Sequence, residues 1–463
     1  MQSGSKIHFE VSERKVLLRV FDVLSVFGAL FLLDKLVDFD YFSFHSGNYY
    51  QLAVLALYIN VLGTIFEMYN LQVASNQLQV IRSILFTATA TGIFYLLTPF
   101  FTPFLPLSRI QIVYFFLGLF SGLFAWRFFY QAFLASHRFE KKVVLICDRE
   151  LLPALINYLA DADPHYRVVG YINPDESDHG PVTASVKVIG VGEAASFVTE
   201  NSISEVVVDS KKAKRMTVFL YTQLVYLLEN GVIIRDFAQV YESMMQRIPM
   251  EHFATDFYRY FPFSRSNNNK LYLLIVKVLE VVFSFAGLVV LCLLLPFILL
   301  GNLVGNRGSL FYVQERVGKN GRAFRIYKFR TMVRHAERHG AVFASTNDVR
   351  VTPFGKFLRK TRLDEMPQFI NILKGDMAFI GPRPERPVFV TELSRRMPFY
   401  ETRHVIKPGI TGWAQVKYPY GQTMDDSLIK LQYDLYYIKH RSIFLDVNII
   451  IKTFSTVLFY RGQ

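Results

Sequence analysis

Long apolar runs separated by short polar breaks fill the first third of the chain, at 16–36, 51–69, 83–101 and 110–126. Each is close to the ~20 residues that an α-helix needs to cross a bilayer. Residues 1–140 are therefore predicted to form a membrane α-helical bundle of four transmembrane helices. A soluble helical domain would have to bury four such runs in succession, which argues against it. The first run is the least regular, because it carries Arg19, Asp22 and Asp34. A charge near a helix end reaches the interface at modest cost. Lys6, Arg14 and Lys15 precede the first run, residues 37–50 hold no Lys or Arg, and Arg127, Arg138, Lys141 and Lys142 follow the fourth. Basic loops stay inside, so the N-terminus and everything after the fourth helix are expected on the cytoplasmic face.

From residue 141 the pattern changes to short apolar strands alternating with helices. Strands are predicted at 142–147, 168–172, 187–189, 204–209 and 232–236, and helices at 151–160, 193–199 and 216–229. This alternation predicts a middle, Rossmann-like α/β domain over 141–262. A dinucleotide site would need glycines after the first strand. The turn here is Cys147-Asp148-Arg149-Glu150-Leu151. Two carboxylates and no glycine predict a domain without nucleotide, serving assembly or regulation. Pro262-Phe263-Ser264-Arg265-Ser266-Asn267-Asn268-Asn269 reads as a linker.

The run 271–300 is apolar apart from Lys277 and Glu280. Its length fits a fifth span, but a fifth span would carry the rest of the chain outside. Pro296 cannot continue a regular helix without losing a backbone bond. A re-entrant helix, broken at Pro296 and returning to the same face, satisfies both facts. Beyond it, 310–317 and 322–329 flank Gly318-Lys319-Asn320-Gly321, a strong hairpin signal. The hairpin ends on Lys328 and Arg330, which point to one side of an extended segment. Residues 352–374 read as helical, with Pro353 near the start. Asp364 and Glu365 would then lie about 100° apart, and Pro367 would bend or restart the helix beside them. Gly381-Pro382-Arg383-Pro384 is a rigid turn. The segments 428–437 and 443–460 fit either the membrane interface or ordinary core helices.

Composition supports a membrane protein of two or three folded units. Hydrophobic residues make up 52% of 463, mean hydropathy is +0.25, and there are 44 Phe and 26 Tyr, aromatics suiting membrane interfaces. Residues 1–15 are polar and no small-residue cleavage site follows, so no signal peptide is expected. Cys147 and Cys292 stand far apart without ligand spacing, so neither a disulfide framework nor a zinc site is supported. The net charge of +13 arises in the last part of the chain, where residues 301–463 hold 27 Lys/Arg against 13 Asp/Glu. Such a domain suits anionic lipid or phosphorylated substrates. No nucleic-acid-binding motif is present, so no nucleic acid partner is expected.

Asp364-Glu365 is the feature that turns this charge into chemistry. Basic blocks lie upstream at Lys328-Phe329-Arg330 and Arg359-Lys360-Thr361-Arg362, and Arg383 lies downstream. In a cationic field one carboxylate can attack phosphorus while the other holds a divalent metal. Five blocks carry a resemblance: Phe311-Tyr312-Val313-Gln314-Glu315-Arg316-Val317-Gly318, Tyr327-Lys328-Phe329-Arg330-Thr331-Met332, Leu363-Asp364-Glu365-Met366-Pro367-Gln368, Gly381-Pro382-Arg383-Pro384 and Lys407-Pro408-Gly409-Ile410-Thr411-Gly412. In this order they resemble the bacterial sugar transferases, the polyprenyl-phosphate hexose-1-phosphate transferases, and the whole layout is similar to their large WbaP-type members.

The resemblance implies a C-terminal α+β monotopic phosphoglycosyl transferase domain at 271–463, with a re-entrant membrane helix. In small family members a serine precedes the breaking proline; here it is Leu295. The implied reaction takes hexose 1-phosphate from a UDP-sugar to undecaprenyl phosphate, with UMP as the other product, at the start of surface polysaccharide synthesis on the bacterial inner membrane. Asp364 is the implied nucleophile and Glu365 the ligand of Mg²⁺, while Lys328, Arg330 and Arg383 would offset the diphosphate charge. An anionic bilayer is an expected partner, and a homodimer through the membrane helices stays open. Two rivals remain. A polytopic phosphotransferase would need acidic residues clustered inside the apolar runs, and Asp22, Asp34, Glu67 and Glu280 do not cluster in sequence. A catalytically silent scaffold for polysaccharide assembly would carry damaged blocks, and all five are intact.

Overall fold

The computed structural model describes residues 11–37, 39–42, 49–70, 74, 77–134, 141–162, 166–174, 186–209, 217–250, 267–334, 336, 348–397, 399–418 and 423–458. The chain divides into two compact units, Met1–Met245 and Gln246–Gln463.

In the first unit the four apolar runs become helices α1 (Val11–Leu36), α2 (Tyr49–Ile65), α3 (Gln77–Leu97) and α4 (Arg109–Phe129). Three of them are long and apolar enough to cross a membrane. The second has only 17 residues, shorter than its run, because the chain turns after Ile65 and Glu67 takes a φ of 60°. Asp22, which made the first run irregular, is fully buried. Arg127 of α4 donates to it from Nε at 3.0 Å and from Nη2 to the second carboxylate oxygen. Pairing removes the cost of either charge standing alone in an apolar bundle.

Strands β1 (Lys141–Ile146), β2 (Tyr166–Ile172), β3 (Lys187–Val188), β4 (Glu205–Val208) and β5 (Ile233–Asp236) form one parallel sheet in the order β3-β2-β1-β4-β5. Parallel strands this apolar need cover on both faces. Helices α5 (Leu152–Ala162) and α8 (Phe237–Met245) supply it on one side, and α6 (Ala194–Glu200) and α7 (Val218–Glu229) on the other. Glu205, buried in β4, is neutralised by Lys141 and Arg235 from the flanking strands.

The second unit starts earlier than the sequence pattern placed its boundary. Ile248, expected within the middle domain, lies in the core of this unit, and Trp413 donates from Nε1 to the Gln246 carbonyl at 2.9 Å. The apolar side chain goes where a core accepts it. Most of the expected linker, 262–266, falls outside the described residues. Helix α9 (Lys270–Gly305) begins where the Asn269 side chain accepts the Leu271 and Tyr272 amides. The expected interruption at Pro296 is not seen: α9 runs for 36 residues with Pro296 inside it. The proline withholds one amide from the Cys292 carbonyl, and the rest of the ladder carries the helix through.

Strands β6 (Phe311–Val317) and β7 (Ala323–Phe329) form the predicted antiparallel hairpin. Its turn uses Asn320 at φ 56° and Gly321 at φ 74°, which is why Asn-Gly stands there. The stretch 352–374 is not one helix. It is α10 (Pro353–Lys360), a 3₁₀ segment Leu363–Gln368 and α11 (Phe369–Lys374). The first helix ends ahead of the carboxylates, where Arg362 adopts a left-handed φ of 59°, and the α-helix restarts at Phe369, just after Pro367. Asp364 and Glu365 therefore project about 120° apart from a tight turn.

Short strands β8 (Ala378–Ile380) and β9 (Gly409–Thr411) pair in parallel. A Cβ on Gly409 would stand 2.2 Å from the Gly381 nitrogen, and one on Gly412 2.2 Å from its carbonyl oxygen. The Lys-Pro-Gly-Ile-Thr-Gly block is thus a backbone contact more than a binding loop. Helices α12 (Pro387–Arg396), α13 (Trp413–Lys417), α14 (Met424–His440) and α15 (Ile443–Leu458) complete the unit. The C-terminal ambiguity divides between two helices. α14 buries Leu431, Leu435 and Ile438 in the core, whereas α15 turns Ile449 inward and leaves Phe444 and Phe454 exposed.

Candidate active site

Three separate pieces of the second unit bring the site together. β7 carries Lys328, the 3₁₀ turn carries Asp364 and Glu365, and the extended stretch after β8 carries Arg383. The buried Asn371 of α11 joins the first two pieces. Its Oδ1 accepts the Tyr327 amide at 3.1 Å and its Nδ2 donates to the Arg325 carbonyl at 2.7 Å. With β7 fixed on both sides of Ile326, Lys328 Nζ lies 2.9 Å from Glu365 Oε1. The third piece is held by its backbone. Arg316 Nη1 donates to the Pro384 carbonyl at 3.1 Å, Arg403 Nη2 to the Arg383 carbonyl at 3.1 Å, and the Val317 amide to the Glu385 carbonyl at 2.9 Å. Arg383 Nη2 then reaches Glu365 Oε1 at 3.1 Å.

Four of the five residues expected from sequence therefore converge: Asp364, Glu365, Lys328 and Arg383. Arg330 lines the same cleft but turns elsewhere. Its Nη2 donates to the Asn306 carbonyl at 3.0 Å, at the end of α9, and its own carbonyl accepts from Asn306 Nδ2 at 2.8 Å. Arg362, read only as flanking charge, proves to be part of the site, with Nη1 3.9 Å from Glu365 Oε2. Asn371 and Arg403 were missed. The one signal for Asn371 is a polar residue between Ile370 and Ile372; nothing in the sequence marks Arg403.

The two carboxylates lie side by side in different electrostatic states. Burial alone would raise Glu365, but Lys328, Arg383 and Arg362 outweigh it and hold the carboxyl well below its usual range. Asp364 is pushed the other way, up to about 6, first by burial and then by the charge of Glu365, with Lys328, Arg359 and Arg362 opposing. Asp364 Oδ1 is buried and accepts no hydrogen bond. One carboxylate is clamped by cations and lowered; the other is raised, lacks such a clamp and lines a cleft of about 1330 Å³.

Among the described residues no three acidic, His or Cys side chains gather as a metal cage. Two carboxylates with one orphaned buried oxygen still fit a hard divalent cation of the kind that takes its remaining ligands from substrate phosphate and water.

Arg403 and Asp434 are both buried and paired at 2.7 Å. Asp434→Asn leaves the Arg403 charge unmatched, and removing one partner of a buried pair costs about 3–5 kcal/mol. A clearly lowered midpoint of thermal unfolding is expected, together with reduced activity, because Arg403 holds the Arg383 backbone. An unchanged midpoint would show that the pair is not structural.

The fold and the site define a class: a protein with helices long and apolar enough to cross a membrane and, beside one of them, a cationic cleft with paired carboxylates. Comparison with known proteins gives the family. A bacterial sugar transferase model matches residues 271–460, and a CoA-binding domain model matches 64–209. A candidate undecaprenyl-phosphate N-acetylgalactosaminyl 1-phosphate transferase of Bacillus subtilis is 43% identical over 141 residues, 30% of this chain and 79% of its own length. The chain belongs to the bacterial sugar transferase family. It is also 54% identical over 151 residues, 33% of the chain, to the UDP-N-acetylgalactosamine-undecaprenyl-phosphate N-acetylgalactosaminephosphotransferase of Aeromonas hydrophila, and the match covers 36% of that protein. The UDP-glucose:undecaprenyl-phosphate glucose-1-phosphate transferase of Xanthomonas campestris pv. campestris is 43% identical over 165 residues, 35% of the chain and 34% of its own length. The chain thus spans about a third of the length of these two relatives.

Proposed function

We propose that the protein transfers hexose 1-phosphate from a UDP-sugar to undecaprenyl phosphate, releasing UMP, as the first membrane step of a surface polysaccharide. The observation that carries this reading is the asymmetry of Asp364 and Glu365, one unclamped and basic, the other held by three cations. A carboxylate with a pKa of about 6 is mostly ionised at neutral pH and is a stronger nucleophile than an ordinary one.

Asp364 Oδ attacks the β-phosphorus. The bond from that phosphorus to the bridging oxygen breaks, and UMP leaves with the electron pair. An oxygen of the acceptor phosphate next attacks the same phosphorus. The acyl phosphate bond breaks, Asp364 returns as carboxylate, and the lipid carries the sugar on a diphosphate. Lys328, Arg362 and Arg383 balance the non-bridging oxygens. Glu365, with Asp364 Oδ1 beside it, is the proposed holder of Mg²⁺, which when bound neutralises phosphate charge. Purified protein with undecaprenyl phosphate, Mg²⁺ and a panel of UDP-sugars tests the reading by UMP release; no release with any sugar would refute it.

The same reading places the catalytic unit on the cytoplasmic face of the inner membrane, the middle domain being a Rossmann-like module without nucleotide. One feature of α9 supports it. Tyr272 near its start hydrogen-bonds to Asp446, Phe283 stacks edge-on to Phe379, Leu291 and Ile298 pack with Phe329 and Leu358, and Gly301 and Gly305 lie against Phe354. One folded unit thus follows the helix along its whole length, about 54 Å. A spanning helix would meet lipid over about 30 Å of that path. Leu274, Phe285, Leu293, Phe297 and Val304 leave the opposite face apolar and exposed, as suits a helix seated in one leaflet with both ends on the same side of the bilayer. Single cysteines near Asn269 and near Arg307 should both be labelled from the cytoplasmic side. Labelling near Arg307 only from outside would sink the monotopic arrangement.

A further inference from the structure

The apolar run of α9 is interrupted by Lys277 and Glu280, and the chemistry described so far uses neither. A charge in such a run is costly unless a partner meets it. Glu280 is 6% exposed and turned into the catalytic unit. Its carboxylate accepts the backbone amide of Phe379 in β8. Lys407, just ahead of β9, is the foremost of the cations that act on it, followed by Lys277 and Arg441. The amides of Ala378 and Gly381 are spent on the β9 side, on the Pro408 carbonyl at 2.8 Å and the Thr411 carbonyl at 2.9 Å. That of Phe379, between them, faces α9. One carboxylate thus holds β8 by an amide and β9 by the charge that precedes it.

This pair of strands carries part of the site. β8 ends at Ile380, and Gly381-Pro382-Arg383-Pro384 follows at once. Two prolines leave that stretch little torsional slack. The place of β8 against α9 therefore sets the place of the Arg383 guanidinium, 3.1 Å from Glu365. A contact farther along the helix keeps the carboxylates in step. Phe369, the first residue of α11, lies over Gly287, where a Cβ would meet the ring at 2.3 Å, and its ring centroid is 5.8 Å from that of Phe379. The pieces that carry Arg383 and Glu365 are thus both registered on residues 280–287 of α9. Lys328 and Arg362 reach Glu365 from β7 and from the head of the 3₁₀ turn, without passing through β8.

We propose that Glu280 is a positioning residue for the transfer: from the apolar helix, through β8 and Lys407, it sets the Arg383 guanidinium against Glu365. The seating of α9 then governs how much positive charge the site offers to the substrate diphosphate. The proposal rests on the transferase reading and adds to it a residue that does not line the cleft.

The test uses the full chain with two variants. Glu280→Leu removes both the acceptor and the charge, and Glu280→Gln keeps an acceptor for the Phe379 amide. Glu280→Leu should lower kcat for UMP release about tenfold, the scale of a small misplacement at a reacting centre, and Glu280→Gln should recover part of that loss. In an Arg383→Ala background Glu280→Leu should cost nothing further, because both changes remove the same contact, whereas in a Lys328→Ala background it should cost its full factor. The full factor in both backgrounds would make Glu280 a support of the fold alone and overturn the proposal. A direct readout separates the idea from the activity. Phenylglyoxal modifies arginine, and mass spectrometry reports the rate at each site. Labelling of Arg383 should speed up several-fold in Glu280→Leu, and less in Glu280→Gln, while Arg362 keeps its wild-type rate. That result supports the proposal even if no UMP is released with any sugar. Unchanged labelling of Arg383 in every variant that folds, or an equal rise at both arginines, refutes it.

Discussion

Asp364→Asn is expected to lower UMP release by at least about a thousandfold, the scale of loss when a covalent nucleophile is removed, while leaving the protein folded. The amide keeps the carboxylate's shape, and Oδ1 has no hydrogen bond to lose. The fold should therefore survive a change that removes the attacking oxygen's charge. Mass spectrometry after brief exposure to UDP-sugar without acceptor should find a phosphosugar on the peptide containing Asp364 in the wild type and none in the variant. An adduct on another peptide would reassign the nucleophile, and substantial turnover by the variant would exclude the covalent route.

Glu365→Gln should behave differently, because Glu365 is held by three cations. Its Oε1 accepts from Lys328 at 2.9 Å and Arg383 at 3.1 Å. Neutralising it should reduce the rate by roughly a hundredfold, as for a lost preorganised electrostatic contact, and should raise the Mg²⁺ concentration needed for half-maximal activity, since an amide is a poor ligand for a hard cation. EDTA should silence the wild type. A rate loss with an unchanged Mg²⁺ curve would remove the metal-ligand role and leave Glu365 as the anchor of the three cations. The variant also loses the charge that holds Asp364 up, so the two carboxylates cannot be assigned independent energies.

The Asp364-Glu365 pair, the hairpin that delivers Lys328 and the Pro-Arg-Pro stretch were legible because each rests on local chemistry. Adjacent acids among basic blocks, Asn-Gly between two apolar strands and prolines around an arginine all constrain the chain within a few residues. The alternation over 141–236 was legible for the same reason: parallel strands buried on both faces must be short apolar runs. Arg330 marks the limit of that logic. Its i, i+2 spacing from Lys328 gives the side of a strand, but its head is drawn to the Asn306 carbonyl at the end of a helix some twenty residues earlier. The end of the first helix at Arg362 was hidden because a left-handed arginine has no sequence signature, whereas the restart just after Pro367 has one.

The sequence by itself determined the apolar helices, the parallel sheet and the pairing of two adjacent acids with basic blocks, since hydrophobic periodicity and motif chemistry act over short distances. Only the tertiary structure decided what surrounds each acid. Asp364 and Glu365 are neighbours of similar chemistry, yet Asn371, Arg316 and Arg403 bring Lys328 and Arg383 onto one of them and leave the other with a bare oxygen in a buried place. Charges taken out of water interact strongly with whatever lies within a few ångströms. Which groups those are depends on segments far apart in the chain, and no local pattern records them.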